Sequence, residues 1–551
     1  MTVKRALLAA AAASFLLCVA MSLARSGPVL MADEAGYLGN ARLLGGGLEF
    51  EMGTSPFYRA GYSLLLAPVV GLGGDPETTY GLVLVINAAL AASLVPLLYL
   101  LLTRCFEVSP KWALGGAIAG AVYPTVLSLS QVAMSENALF PLTILWLLAV
   151  GGLLRSRGRG DVVGGLAAGA SAAALWVVHG RMIVALALTV LMLVGLVVRG
   201  RISRRAGIAG FGVIAVGLVA GSLLNDLVVD RNYDGREVNE VSDTLGSVDD
   251  LDAALAVLRN LIGESWYLLV ASFGLVGLLL AAQGRVAATK LLRGEDDVPA
   301  LSLALLLGLA AGLLVVTAVW FVDATRPDQI AYGRYVEPTL PPLVALGVVT
   351  AAARPSGRAT RLVIAGIAVF TITVAALASG LDFPGQDANR WNLAGLPFIA
   401  RDLGPEVIIG AGAVAATGAF AILATARRAP WAAWLAAVAL FVPVAVYNEI
   451  RLVLQSDNDA YPAGWTSPQS IVEARGDEVA YDVSRLDRFA VKAYQWFLPD
   501  TPFELYDGGD TSPPAPLFFS ASKAARKRSS PGAQIVWRDH ARDQVLWRSG
   551  R

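Results

Sequence analysis

Asp33 and Glu34 stand side by side directly after the first membrane-length apolar run, in VLMADEAGYLGNARLLGGG, with Tyr37 one helical turn further on. A carboxylate at an aqueous boundary can take a proton from a hydroxyl group. A third carboxylate, Glu136, lies in AMSENALF, where another apolar run begins. The cations that go with such chemistry are Arg334 beside Tyr335 in YGRYVEP, Arg59 in SPFYRAGY and Arg181 in VVHGRM. A guanidinium fork matches the oxygens of a phosphate. A base plus phosphate-holding cations describes transfer of a group from a phosphate carrier to a hydroxyl. Each residue also has a plainer use. Asp33, Glu34 and Glu136 sit where helices start, and carboxylates stabilise helix starts. An Arg beside aromatic residues at a membrane boundary can simply snorkel. His179 and Arg181 can serve only the turn between two helices.

The rest of the chain is a membrane scaffold. It has 551 residues, of which 56% are hydrophobic and 16% charged; a soluble domain carries about 25% charged residues. Apolar runs of about 20 residues, the length that crosses a bilayer, recur through most of the sequence. After the run that contains Lys4 and Arg5 at its start, they centre near residues 86–101, 114–127, 139–153, 163–177, 183–198, 208–223, 267–280, 301–321, 342–352, 362–377, 407–423 and 431–446. The expectation is an all-α polytopic membrane protein with about thirteen transmembrane helices. An uncleaved first span fits the N-terminus better than a signal peptide, because its apolar run is long and more spans follow.

Alternate loops carry the basic residues: Arg104 and Lys111; Arg155, Arg157 and Arg159; Arg199, Arg201, Arg204 and Arg205; Arg285, Lys290 and Arg293; Arg354, Arg358 and Arg361; Arg427 and Arg428. The positive-inside rule puts these in the cytoplasm with Lys4 and Arg5. Residues 32–62, 225–265, 322–337, 382–406 and the tail from 448 then lie outside. The pattern divides the chain into a membrane domain, 1–447, and a polar extracytoplasmic α/β domain, 448–551. In the tail, DEVAYDVS, PFELYDG and PLFFSAS read as strands, SRLDRFAVKAYQWFL as an amphipathic helix and AQIVWRDHARDQVLWRS as a hairpin. The basic stretch KAARKRSS reads as a solvated loop rather than a phosphate site.

Several classes are set aside by composition. The formal net charge is zero, so no basic field points to nucleic acid. Only Cys18, Cys105, His179 and His540 offer a thiol or an imidazole, which leaves no disulfide framework and no His-built zinc or haem site. Abundant Ala, Gly, Val and Arg with few Lys suggests a GC-rich bacterium and its plasma membrane. Transporters place ionisable residues at mid-bilayer, and the apolar runs offer few. A reaction at the outer surface fits better. ATP and nucleotide sugars are cytoplasmic, so such an enzyme needs an activated donor that has crossed the membrane, and a lipid phosphate is the usual solution.

The order DEAGYLGNARLL, YRAGYSLLLAPVVGLGGDPETTYGLVLVINAAL, SQVAMSENALFPLTILWLL and YGRYVEPTLPPLVAL, over roughly residues 1–352, resembles the type C membrane glycosyltransferases (GT-C). Within them it is similar to the bacterial protein O-mannosyltransferase and aminoarabinose transferase relatives, the family 39-like enzymes. The resemblance implies transfer of a monosaccharide from a polyprenyl-phosphate carrier, with inversion, to an extracytoplasmic glycan, lipid or protein. It implies that Asp33 is the catalytic base, with Glu34 the second acidic position and Glu136, where the family usually has Asp, lining the same cavity. Arg334 and Tyr335 match an Arg-Tyr pair and take the donor phosphate, with Arg59, Arg181 and more weakly Arg326 as further candidates. No cofactor is obligatory, although Asp33, Glu34 and Glu136 offer oxygen ligands to a divalent cation. The rival readings are a transporter or lipid flippase, a polysaccharide polymerase or ligase, and a non-catalytic scaffold. A polymerase or ligase usually has a late external loop rich in Arg and His, where this chain has only Arg390 and Arg401.

Overall fold

A computed structural model describes residues 2–29, 31–52, 56–156, 159–233, 250–295, 297–398, 403–461, 465–473, 478–486, 490–508, 512–521, 533–540 and 542–549, with 159, 160 and 473 as backbone only. The KAARKRSS stretch, Arg157, the Arg159 side chain and Arg401 lie outside the described residues.

Among those residues, twelve helices are long and apolar enough to cross a membrane. The first, α1 (Val3–Ser22), starts with the Thr2 hydroxyl accepting the Arg5 amide and rests on α4 (Pro76–Arg104). Between them lie two shorter helices, α2 (Ala32–Leu44) and α3 (Ala60–Val70). At 13 and 11 residues they are too short to span. The two meet where Gly45 and Gly71 let the backbones touch; a Cβ on either would strike the other's main chain. The bundle continues through α5 (Pro110–Ala121), α6 (Pro124–Leu129), α7 (Glu136–Arg155), α8 (Arg159–Val178), α9 (Ile183–Val198) and α10 (Arg204–Asn232).

The run read from sequence as one span at 114–127 is broken, because Pro124 cannot continue α5 and instead opens α6. The broken pair still runs the length of the helix Ala433–Asn448: Gly115 abuts Trp434, and Asn448 Nδ2 donates to Ser128 Oγ at 3.2 Å. Residues 225–265, read as an external loop, are largely helical at both ends, in α10 and in Leu251–Ala271. The latter and Leu275–Leu292 form a single passage, interrupted where Gly274 adopts a left-handed φ of 73°. Asn260 donates to the carbonyls of Ala318 and Phe321, at the end of Val298–Trp320, at 3.2 and 2.7 Å. Lys290 pairs with Asp297, at the start of that same helix. Joining this pair, and adding the broken passages Pro110–Leu129 and Glu337–Ala352, gives the thirteen crossings expected from hydropathy.

The last membrane helix continues unbroken to Ala460. The tail then builds a five-stranded sheet from β1 (Val479–Asp482), β2 (Phe503–Tyr506), β3 (Leu517–Ala521), β4 (Gln534–Asp539) and β5 (Gln544–Arg548) in the order β2-β1-β3-β5-β4. β1 is parallel to β2 and β3, while β5 runs antiparallel to β3 and β4. Each strand falls on a segment read as one, and the β4–β5 hairpin is present. The crossover helix Ala490–Phe497 is buried at all eight positions. One face packs on the sheet, with Tyr494 stacked on Phe519 at 4.2 Å. The other face packs on α2.

Candidate active site

The first turn of α2 carries Asp33 and Glu34. Neighbours on a helix point about 100° apart, so two adjacent carboxylates cannot share one direction. Glu34 turns into the protein and is fully buried. It accepts the Tyr80 hydroxyl at 2.7 Å and the Ala133 amide at 3.0 Å, tying α2 to α4 and to the entry of α7. Asp33 turns the other way, keeps a quarter of its side chain exposed and pairs with Arg334 Nη2.

Arg334 arrives on a chain of tight turns, Pro327–Ala331, Gly333–Tyr335 and Glu337–Thr339, which lead into the helix Leu340–Ala352. The Gly333 position lies flat against the Tyr267 ring, where a side chain would collide with it. Arg334 is buried, and its Nε donates to Glu136 Oε1 at 3.0 Å. Arg181 Nη2 reaches the same Glu136 oxygen at 2.8 Å. Glu136 is itself wholly buried at the start of α7, so one carboxylate holds two guanidinium groups side by side. Burial opposes the Arg334 charge, but Asp33 and Glu136 outweigh it and raise its pKa above the usual arginine value. The remaining Arg334 nitrogen, Nη1, makes no hydrogen bond among the described residues.

Aromatic rings enclose the cluster. The Arg181 guanidinium lies 4.3 Å from the centre of the Tyr335 ring, and Tyr335 also meets His179 and Tyr332 edge-on at 5.5 and 4.7 Å. His179 lies in the turn before Arg181, and its Nε2 is 3.2 Å from Arg181 Nη1. Burial, and then the charges of Arg181 and Arg334, push its pKa well below the ordinary histidine value, although Glu136 pulls the other way. Its imidazole is therefore neutral. Arg59 lies over Trp176 at 4.2 Å, close enough for its charge to act on His179. Arg326 instead makes a two-pronged pair with the buried Asp328, at 3.1 and 3.2 Å.

The structure therefore brings together Asp33, Glu136, Arg334, Arg181 and Tyr335, with Arg59 at the margin. It sends Glu34 to a different network. The three carboxylates do not converge, and among the described residues no group of three or more His, Cys, Asp or Glu side chains is placed to hold a metal ion.

Tyr58 escaped the sequence reading. Its hydroxyl hydrogen-bonds Asp33, and burial together with the Asp33 charge raises its pKa, so it is a hydrogen-bond donor and not an acid. Its ring fits against Gly36, where a Cβ would collide with it. The available signal was Gly36, one helical turn from Asp33, but nothing in the sequence pairs that glycine with Tyr58. Two buried carboxyl groups were also missed. Glu337 accepts the hydroxyls of Tyr267 and Thr125, the latter at 3.0 Å, and Glu264 has both oxygens buried without a partner among the described residues.

No protein-family model and no curated protein matches the sequence. Solved structures do match. The crystal structure of ArnT from Cupriavidus metallidurans bound to undecaprenyl phosphate aligns with 98% of this chain and 97% of its own, at 14% identity and a TM-score of 0.55. The apo ArnT structure aligns over the same shares, with 14% identity and a TM-score of 0.51. The chain shares the overall fold of these ArnT structures. The likeness extends through the C-terminal domain, beyond the residues 1–352 that carry the sequence resemblance. At this identity it describes architecture, and the assignment of each side chain rests on the geometry above.

Proposed function

We propose that this protein is a glycosyltransferase of the bacterial plasma membrane, which moves a monosaccharide from a polyprenyl-phosphate carrier to a hydroxyl of an extracytoplasmic glycan, lipid or protein. The observation that carries the reading is the partly exposed Asp33 carboxylate paired to a buried Arg334 that Glu136 anchors from behind. The likeness to an ArnT structure bound to undecaprenyl phosphate supports a lipid-phosphate donor.

The donor phosphate takes the Arg334 Nη1 and Nη2 edge, displacing Asp33 from the guanidinium. The freed carboxylate accepts the proton of the acceptor hydroxyl as that oxygen bonds to the anomeric carbon. The bond from the anomeric carbon to the phosphate oxygen breaks with its electron pair. The lipid phosphate leaves on Arg334, and direct displacement inverts the anomeric centre. Glu136 keeps Arg334 and Arg181 aimed without taking part in proton transfer. Glu34, Tyr58 and Tyr335 position the groups around them. No step uses a metal. On this reading the basic loops face the cytoplasm and the C-terminal domain lies outside with the site; the packing of Ala490–Phe497 on α2 supports putting the domain and α2 on one side.

The test is mass spectrometry of lipid-linked sugars and envelope glycans in a deletion strain. Accumulation of one polyprenyl-phosphate sugar, with loss of one decoration, is the expected pair of changes. An unchanged lipid and glycan profile would reject the function. Glu264 and Glu337, buried in membrane helices, are what the transporter reading would use. On that reading their amide variants would abolish a flux while leaving Asp33→Asn harmless.

A further inference from the structure

The end of the last membrane helix and the C-terminal domain together grip α2 at its two ends. Before α2, the segment 25–28 is clasped by the end of the last membrane helix. Arg25 pairs with Asp457 at 3.3 Å and donates to the Val453 carbonyl at 3.0 Å, while the Ser26 amide donates to Asp457 at 3.0 Å. The Tyr461 hydroxyl donates to the Pro28 carbonyl at 2.6 Å. At the other end of α2, buried Arg42 donates to the carbonyl of Gln495 at 2.8 Å and to that of Pro499. The Gln495 carbonyl lies in the last turn of Ala490–Phe497, where helix carbonyls lack internal partners and carry partial negative charge, and Pro499 follows two residues beyond that helix. Gln495 then clamps Glu51 by both main-chain groups, accepting its amide at 2.7 Å and donating to its carbonyl at 3.2 Å. In the middle, Trp496 meets Tyr80 edge-on at 6.3 Å, and Tyr80 holds Glu34 at 2.7 Å.

A clasp of this kind is more than a surface contact. Arg42 is only 5% exposed and Trp496 also 5%. Burial pushes the Arg42 guanidinium down to about 10, against the pull of Asp500, and the two carbonyls accept its hydrogen bonds away from water. Glu34 is the residue next to Asp33, so the orientation of α2 about its own axis is read by one and set through the other.

We infer that the C-terminal domain positions the catalytic carboxylate, with Arg42, Gln495 and the Tyr80–Trp496 pair acting as positioning residues that fix the rotation and tilt of α2 and hence the reach of Asp33. The inference rests on the assignment of Asp33 as the base. It gives the domain a role in turnover that is separate from acceptor binding. A rotation of α2 that moves the carboxylate by about 1 Å is enough to cost on the order of 100-fold in rate.

The test uses the full chain in lipid nanodiscs. Arg42→Ala, Arg42→Lys and Gln495→Ala are compared in three measurements: transfer from the lipid-linked sugar that accumulates in the deletion strain, affinity for undecaprenyl phosphate, and hydrogen exchange of the amides in 32–44. Arg42→Ala and Gln495→Ala should lower kcat about 10- to 100-fold while undecaprenyl phosphate affinity stays within about 2-fold. Exchange in 32–44 should quicken in both, and Arg42→Lys should recover most of kcat, because an ammonium group still donates to the two carbonyls. Unchanged kcat in folded Arg42→Ala and Gln495→Ala protein would overturn the inference, as would unchanged exchange. A parallel loss of lipid affinity and kcat that Arg42→Lys does not relieve would reduce the clasp to a folding contact and also overturn it. Asp33→Asn is run alongside. If that variant transfers at the wild-type rate, the base assignment fails, and hydrogen exchange still judges the clasp independently.

Discussion

Asp33 and Glu136 both contact Arg334, yet amide replacement should separate them cleanly. Glu136 is fully buried and meets two guanidinium nitrogens at 2.8 and 3.0 Å. At an effective dielectric of about 20 each such pair is worth roughly 5 kcal/mol before desolvation is subtracted. Glu136→Gln leaves two buried cations facing each other, with only Asp33 to share between them. Breaking a buried pair in this way costs about 3–5 kcal/mol, and the retained Asp33 contact places this variant near the lower end. Asp33 is different because a quarter of its side chain faces water. Losing a partly solvated pair costs about 1 kcal/mol or less in stability. Losing a general base costs about 10²–10⁴-fold in rate. Asp33→Asn should therefore melt close to wild type and transfer almost nothing. Glu136→Gln should melt well below wild type, with lower yield of folded protein. The assay is sugar transfer from the purified lipid donor, with thermal unfolding followed in the same detergent. Wild-type turnover in Asp33→Asn would remove Asp33 as the base. Wild-type stability in Glu136→Gln would refute the idea that it anchors the two arginines.

Arg334→Ala should weaken undecaprenyl phosphate binding or slow transfer by about 1.5–3 kcal/mol, the range for a charge-assisted hydrogen bond, with Arg334→Lys intermediate because it keeps charge without the fork; a folded Arg334→Ala protein with wild-type kinetics would remove it from the site. Treatment with a strong chelator should leave the transfer rate unchanged, because the leaving phosphate meets guanidinium groups; a rate restored only by added Mg²⁺ or Mn²⁺ would place a cation beside Asp33. His179 has a folded pKa below that of the unfolded chain, so as pH falls through about 6.5 the unfolded state takes up a proton that the folded state refuses. Its contribution is thus present above that pH and lost below it, by up to about 1.4 kcal/mol per unit. Thermal unfolding between pH 7.5 and 5.5 should fall more steeply for wild type than for His179→Gln, and equal slopes would contradict the buried neutral imidazole.

Long apolar runs were legible because about 20 consecutive nonpolar side chains leave a helix few other options. The tail strands were legible because short alternating segments were bounded by Gly, Pro and Asp. Where passages are broken, hydropathy averaging hid the break: Pro124 and Gly274 each sit inside a run whose mean stays apolar. The membership of the site was only partly legible. Arg334, Arg181 and Glu136 are far apart in sequence, and a motif placed them at the same end without showing that one carboxylate would hold both cations. Arg326, the weaker phosphate candidate in the same loop, has its fork taken by Asp328 two residues later. Tyr58, Tyr80 and Arg42 were not singled out, because their roles depend on which face of a helix or loop meets a distant segment.

The acidic pair itself shows how adjacency in sequence turns into division of labour. Two carboxylates one residue apart at a helix start both interact well with the helix dipole, so local physics treats them alike. The helical rotation between them then sends one toward the protein and the other toward the boundary. Once Glu34 is buried on Tyr80 and the Ala133 amide, the rotation of α2 is no longer free. Asp33 is thereby aimed at Arg334, with Tyr58 beside it and water on its open side. A base is useful only if it stays accessible, and a helix is aimed well only if something on it is not. Placing the two functions on neighbouring residues lets a single turn of helix satisfy both demands. The same reasoning explains the location just after the first span. On the proposed function, that is where a lipid-borne donor would meet a water-borne acceptor, and there a buried neighbour is fixed between α4 and the entry to α7.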